Sequence, residues 1–225
     1  GWSSAFLFVA LLGLLGLMMS AYSVKRSESQ IEISFVDAAG VIRNRTVLMI
    51  LILTAVFMTG HNIAYSFLEG YLDSLPSIDA LDISESLLVF GLAGLFSSFL
   101  FAVLYQKHPR TLIITAIILA AVSILAVPIS GKFVIIVVCF IWGGSITMIN
   151  IIFQKEAMLS VERTYAPLAT AMLSGTINLG IALGSLMGSV LVDMSGYTVL
   201  YLIGGCLVIV SLAYYFIAFR TFTYR

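Results

Sequence analysis

Read from its first residue, the chain alternates long apolar runs with short polar breaks. Seven runs come close to or exceed the roughly 20 residues that an α-helix needs to cross about 30 Å of hydrocarbon. They cover approximately residues 2–24, 46–70, 84–106, 111–129, 133–154, 166–192 and 197–219. Strands of a membrane β-barrel would be about half as long and would alternate in polarity. The runs do neither, so the pattern predicts an all-α integral membrane protein with seven transmembrane helices.

One break differs from the rest. Residues 25–45 (KRSESQIEISFVDAAGVIRNR) hold seven charges and read as a loop. It divides the chain into a single helix over 1–24 and a six-helix body over 46–225. Composition agrees with lipid as the solvent: 61% of the residues are hydrophobic and 10% charged, with mean hydropathy +1.12. A soluble domain carries about a quarter charged residues and could not bury so much apolar surface.

The formal net charge of zero is uninformative, but the placement of the charges is not. If the first helix runs from outside to inside, Lys25, Arg26, Arg43, Arg45, Lys107, Arg110, Lys155, Arg163, Arg220 and Arg225 are all cytoplasmic and only Lys132 is external. The opposite loops carry Asp73, Asp79, Asp82, Glu85 and Asp193. Cytoplasmic loops are enriched in Lys and Arg, so the first residue is expected outside and the C-terminus inside. Cys139 and Cys206 lie within apolar runs and read as small buried hydrophobes.

Polar residues inside hydrocarbon should face protein, water or a cavity. Along 46–70, Thr54, Met58, His61, Tyr65 and Glu69 recur every three or four residues and share a face, with Asn62 beside it. His61 reads either as an interhelical hydrogen-bonding group or as a substrate contact or proton carrier. Glu69 lies near the outer end, as an interfacial carboxylate or a proton-coupling group. Gly143, Thr147, Asn150 and Gln154 form a stripe along 133–154, expected to line a cavity or to bond a neighbouring helix. Trp142 sits deep in that run, as a stacking surface or as packing. Gly180, Gly184 and Gly188 make a small-xxx-small stripe for close helix packing, and Gly91 and Gly94 suggest a second one.

No H-E-x-x-H, G-x-S-x-G, Walker A or G-x-G-x-x-G pattern occurs, and the two histidines, His61 and His108, have no acidic cluster near them in sequence. No catalytic residue, metal site or cofactor is therefore expected, and an enzyme is the weakest class. No stretch has the basic and aromatic content of a nucleic-acid-binding domain.

The order of these features resembles the major facilitator superfamily, and within it the bacterial sugar-efflux and drug/proton-antiporter branch. GWSSAFLFVALLGLL at the start looks like that family's sixth helix, and the charged loop like the link between its two halves. YQKHPRTL at 105–112 looks like the loop between the second and third helices of a half, with Gln106 and Lys107 where Asp and Arg are usual and Arg110 retained. The segment from Trp142 to Gly196 is similar to the tenth and eleventh helices. The resemblance implies helices six to twelve of a twelve-helix fold in a plasma (inner) membrane. Helices seven and ten (46–70 and 133–154) would line the cavity, and eight and eleven would pack against an N-terminal half outside this sequence. It further implies alternating access by a proton-coupled efflux permease for drugs or sugars. Substrate would be bound by His61, Asn62, Tyr65, Trp142, Asn150 and Gln154, with Glu69 as the proton-coupling candidate. A seven-helix receptor and a non-transporting membrane scaffold are the rival readings.

Overall fold

The computed structural model describes residues 2–23 and 35–218. Among these the chain is helical throughout apart from turns and short 3-10 segments, with no strand. Residues 24–34 and 219–225, and with them Lys25, Arg26, Arg220 and Arg225, lie outside the described residues.

The chain divides into two compact units at residues 34 and 35. The described part of the first is α1 (Trp2–Ser23), whose sequence is apolar on every side. A helix without a polar face suits a lipid or protein surround, not water.

The second unit holds α2 (Phe35–Arg43), α3 (Arg45–Tyr65), α4 (Leu68–Asp73), α5 (Ala80–Leu104), α6 (Pro109–Ala126), α7 (Lys132–Leu159) and α8 (Ala166–Ala218). Six stretches of the described chain are long and apolar enough to cross a membrane, the last running from Arg163 to Ala218. Gly196 interrupts it with φ 76° and ψ 177°, a conformation that glycine alone adopts readily. Two arms of α8, 166–195 and 197–218, follow from this one residue. The seven apolar runs are thus seven membrane helices, and the all-α membrane fold is as expected.

Two boundaries differ from the sequence reading. Residues 35–43, expected as loop, form α2. Asp37 in its first turn and Arg43 in its last match the polarity of the helix dipole, and Val41 packs with Val47 and Ala169. Asn44 then ends α2 and caps α3. Its side-chain oxygen accepts from the backbone N–H groups of Thr46 and Val47, and its Nδ2 donates to the Ser160 carbonyl at 2.8 Å. The second difference lies at the other end of α3. That helix stops at Tyr65, and Glu69 stands in the first turn of the separate helix α4. Glu69 is exposed and lies beyond the turn at residues 66–67 that ends α3.

Packing rests on two close helix pairs. Between α3 and α8, the backbones approach at Gly60 and Gly204. A Cβ on Gly60 would stand 2.9 Å from the Gly204 oxygen, and one on Gly204 would stand 2.8 Å from the Gly60 oxygen. Along the first arm of α8, Gly180, Gly184 and Gly188 lie against Met58, Thr59 and Phe67 at 2.5–2.6 Å from an added Cβ. Ser66 and Ser185 share a 2.7 Å hydrogen bond across the same seam.

The second pair, α5 and α7, runs side by side in the same direction. Asp79 and Asp82 cap α5 reciprocally. Lys132 at the start of α7 forms a 2.8 Å ion pair with Asp82. At the far ends, Tyr105 donates a hydrogen bond to Glu156, and the Lys155 ammonium lies 4.1 Å from the Tyr105 ring centroid. Burial, then the neighbouring Glu156, pushes the Tyr105 phenol above its ordinary pKa. Between these ties, Gly143 meets the Phe90 backbone, and a Cβ on Gly94 would come within 2.7 Å of Thr147 Oγ1. Gly91, by contrast, has nothing within 4 Å of where a Cβ would stand. Cys139 is buried, but Cys206 is exposed, unlike the expectation for both.

Candidate functional site

The two helix pairs face each other across a seam of aromatic side chains. From α3 come Phe57, His61 and Tyr65, spaced four residues apart and therefore stacked up one face. Phe90 comes from α5, Trp142 and Phe153 from α7. The His61 and Tyr65 rings lie 5.3 Å apart at 17°, and Phe57 stacks on His61 at 6.4 Å. Trp142 meets His61 edge-on at 5.6 Å and Tyr65 edge-on at 6.0 Å. Phe90 closes the group, 4.9 Å from Tyr65 and 5.6 Å from Trp142. Edge-to-face and offset pairs of this kind add about 0.5–1.5 kcal/mol beyond the area they bury.

A single polar bond runs through this group. Trp142 Nε1 donates to His61 Nδ1 at 3.1 Å. Both side chains are buried, Trp142 completely. Tyr65 is 38% exposed, so the group opens at Tyr65 and is closed at Trp142. No charged side chain pairs or stacks with these six residues among the described residues.

The other expected site residues fall in different places. Asn62 is buried, donates from Nδ2 to the Met58 carbonyl, and has its Cβ 2.8 Å from where a Cβ on Gly184 would stand. It therefore faces α8, not the aromatic group. The stripe on α7 divides. Its first two members, Gly143 and Thr147, press on α5 at Phe90 and Gly94. Asn150 is half-buried with its Oδ1 enclosed and unpartnered, and Gln154 is exposed. At 1.5 Å per residue they stand about 12 and 18 Å along α7 from Trp142. Glu69 lies beyond Tyr65, on α4.

Phe57, Phe90 and Phe153 are members of the group that sequence reading missed. In a chain this apolar a phenylalanine carries no signal of its own, and only the register of α5 on α7 brings Phe90 to Trp142. A separate cavity of about 200 Å³ lies between α5, α6 and α7, lined by Ala93, Phe96, Ser97, Gly144, Ser145 and Met148 among others. It is apolar and shares no residue with the aromatic group.

A multi-pass helical membrane protein with an uncharged aromatic site between two clamped helix pairs is the class that these features define. The family model of the Major Facilitator Superfamily matches residues 1–166, and the chain belongs to that superfamily. A protein of Helicobacter acinonychis titled "Probable sugar efflux transporter" is 32% identical over 169 residues, covering 74% of this chain and 43% of its own length. A Mannheimia succiniciproducens protein of the same title is 25% identical over 227 residues, or 99% of this chain and 56% of its own. One from Haemophilus influenzae is 28% identical over 191 residues, covering 84% and 48%. The chain spans about half the length of the curated relatives it matches. At the level of the family, these likenesses speak for transport and not catalysis.

Proposed function

We propose that this chain supplies the last helix of the first half, and all six helices of the second half, of a secondary transporter that exports sugars by alternating access. The observation that carries the reading is the aromatic group of α3, α5 and α7. It is uncharged, lies well inside the spans, and opens at Tyr65, whose exposed ring stands with the half-buried Phe90 beside the neutral His61. A sugar ring has apolar C–H faces and a rim of hydroxyls, and it suits such a surface better than a charged solute does. The titles of the relatives point to the same substrate class.

In this reading His61 and Tyr65 contact the substrate directly. Asn150 and Gln154, further along α7, meet it as the site opens toward their end. Two halves rocking about such a midplane site give access to each side in turn. Protons supply the driving force, and Glu69 is the candidate proton participant of this half. The basic ends of the helices, at Arg45, Lys107, Arg110, Lys155 and Arg163, face the cytoplasm of a plasma membrane, and the acidic ends, at Asp73, Asp79 and Asp193, face outside.

The test is reconstitution of the full reading frame that carries this chain into liposomes loaded with labelled sugars. Sugar efflux that depends on an imposed pH gradient, and that His61→Ala strongly reduces, is the expected result. Saturable sugar binding with no flux would instead favour a receptor and overturn the proposal.

A further inference from the structure

The bond between Trp142 and His61 has a directional consequence. An indole N–H can only donate, whereas each imidazole nitrogen donates or accepts according to its protonation. Trp142 Nε1 lies 3.1 Å from His61 Nδ1, so Nδ1 must be bare for the bond to exist. The neutral ring then carries its proton on Nε2. Protonating Nδ1 would set two donors against each other inside a buried aromatic group, and would leave the indole N–H without a partner in a place where that costs about 1–3 kcal/mol.

The surroundings supply nothing to offset such a charge. The groups stacked on His61 are Phe57 and Tyr65 of its own helix and Trp142 of α7, with Phe90 of α5 just behind them. On the α8 side, the neighbours of Gly60 are Gly204, Leu207 and Val208. Tyr65 is the one other titratable group among these, and no Asp, Glu, Lys or Arg is among them. Nε2 has no hydrogen-bond partner among the described residues. The buried side-chain atoms left without one are Ser86 Oγ, Asn150 Oδ1 and the Tyr201 hydroxyl. His61 keeps 6% of its surface exposed.

We infer that Trp142 is a positioning residue, which fixes the proton of the buried, neutral His61 ring on Nε2 so that His61 presents one hydrogen-bond donor to an acceptor oxygen of the substrate. This rests on the aromatic group being the sugar site proposed above. Trp142 itself has no exposed surface with which to stack on a substrate. His61 is accordingly a fixed donor and not the proton carrier of the transport cycle. Its partner on the sugar is a ring or hydroxyl oxygen.

The experiment is ¹⁵N NMR of imidazole-labelled full-length protein across pH 5–8, with the His61 signal assigned by its loss in His61→Gln and sugar transport measured alongside. In the unsubstituted protein, His61 should remain in the Nε2–H form throughout this range. Trp142→Phe keeps an aromatic ring but removes the donor. It should leave both neutral tautomers of His61 populated, Nδ1–H beside Nε2–H, and raise KM roughly 3- to 10-fold, the size of one lost hydrogen bond. His61→Gln, whose amide nitrogen can stand near the position of Nε2, should keep more sugar affinity than His61→Asn. An imidazolium or an Nδ1–H form at pH 7 in the unsubstituted protein would overturn the inference without any variant having to fold. So would an unchanged tautomer and KM in a folded Trp142→Phe protein. If the sugar site itself is misassigned, the tautomer result stands while neither His61 substitution alters transport.

Discussion

Replacing Gly143 with alanine tests the closeness of the α5–α7 pair on which the aromatic group depends. The added Cβ would stand 2.8 Å from the Phe90 carbonyl carbon and 2.9 Å from its Cα, with the carbonyl oxygen nearer still. Ordinary contact begins near 3.4 Å, so the carbonyl carbon alone requires a retreat of about 0.6 Å, and the nearer oxygen requires more. Backbone cannot rotate away as a side chain can. Overpacking of this kind costs about 1–3 kcal/mol, against a gain of about 1 kcal/mol from exchanging glycine for alanine in a helix. The net expectation is a loss of up to about 2 kcal/mol. Gly91→Ala on α5 is the matched control, because its Cβ meets nothing within 4 Å and only the gain of about 1 kcal/mol should remain. Thermal unfolding of the detergent-solubilised chain reads both. At roughly 2–4 °C per kcal/mol for a chain of this size, Gly143→Ala should melt below the unsubstituted protein and Gly91→Ala above it. The same retreat moves Phe90 away from Tyr65 and Trp142, so sugar affinity should fall in the first variant alone. Equal midpoints for the two alanine variants would refute the close approach of α5 and α7.

Further expectations concern the ends of the same helices. Asp79 accepts from the backbone N–H groups of Leu81 and Asp82 at 2.9 Å each, so Asp79→Ala should cost about 1 kcal/mol and Asp79→Asn distinctly less, by chemical unfolding. The raised pKa of Tyr105 means that the phenol stays protonated and donating through neutral pH. The folded state holds this proton more tightly than the unfolded chain, so stability should be flat up to the unfolded value near pH 10 and decline above it. Tyr105→Phe should remove that part of the alkaline decline, as followed by circular dichroism against pH. Gly184→Leu would drive a side chain into Thr59 and Asn62, where even a Cβ reaches 2.6 Å from the Thr59 oxygen, and folded protein should be largely lost in size-exclusion profiles.

Much of the fold could be read in advance because lipid leaves so few options. Each apolar run long enough to span became a helix, and the glycine at 196 that parts the last two runs is the one residue with positive φ among the described residues. The faces were harder to read. The spacing of His61 and Tyr65 reveals a shared face, and that face meets α7. The same spacing extended the face to Glu69, because nothing in the sequence marks the turn at residues 66–67 that ends α3. Polarity marked the stripe from Gly143 to Gln154, yet small and polar residues serve helix packing and cavities equally well, and Gly143 and Thr147 proved to face α5. Trp142 illustrates the limit most clearly. Its depth in the run was evident, but its partner, 81 positions away, is set by the register of two helices and by no local pattern.

The most direct measurement of alternating access at this site is side-specific labelling of Tyr65→Cys in the full reading frame, with Cys139 and Cys206 replaced by alanine. Membrane-impermeant maleimide would be applied from each face in turn, with and without sugar. A transporter opening alternately at the aromatic group predicts labelling from both faces and protection by the transported sugar on each. Labelling from one face only, whatever the sugar present, would contradict it.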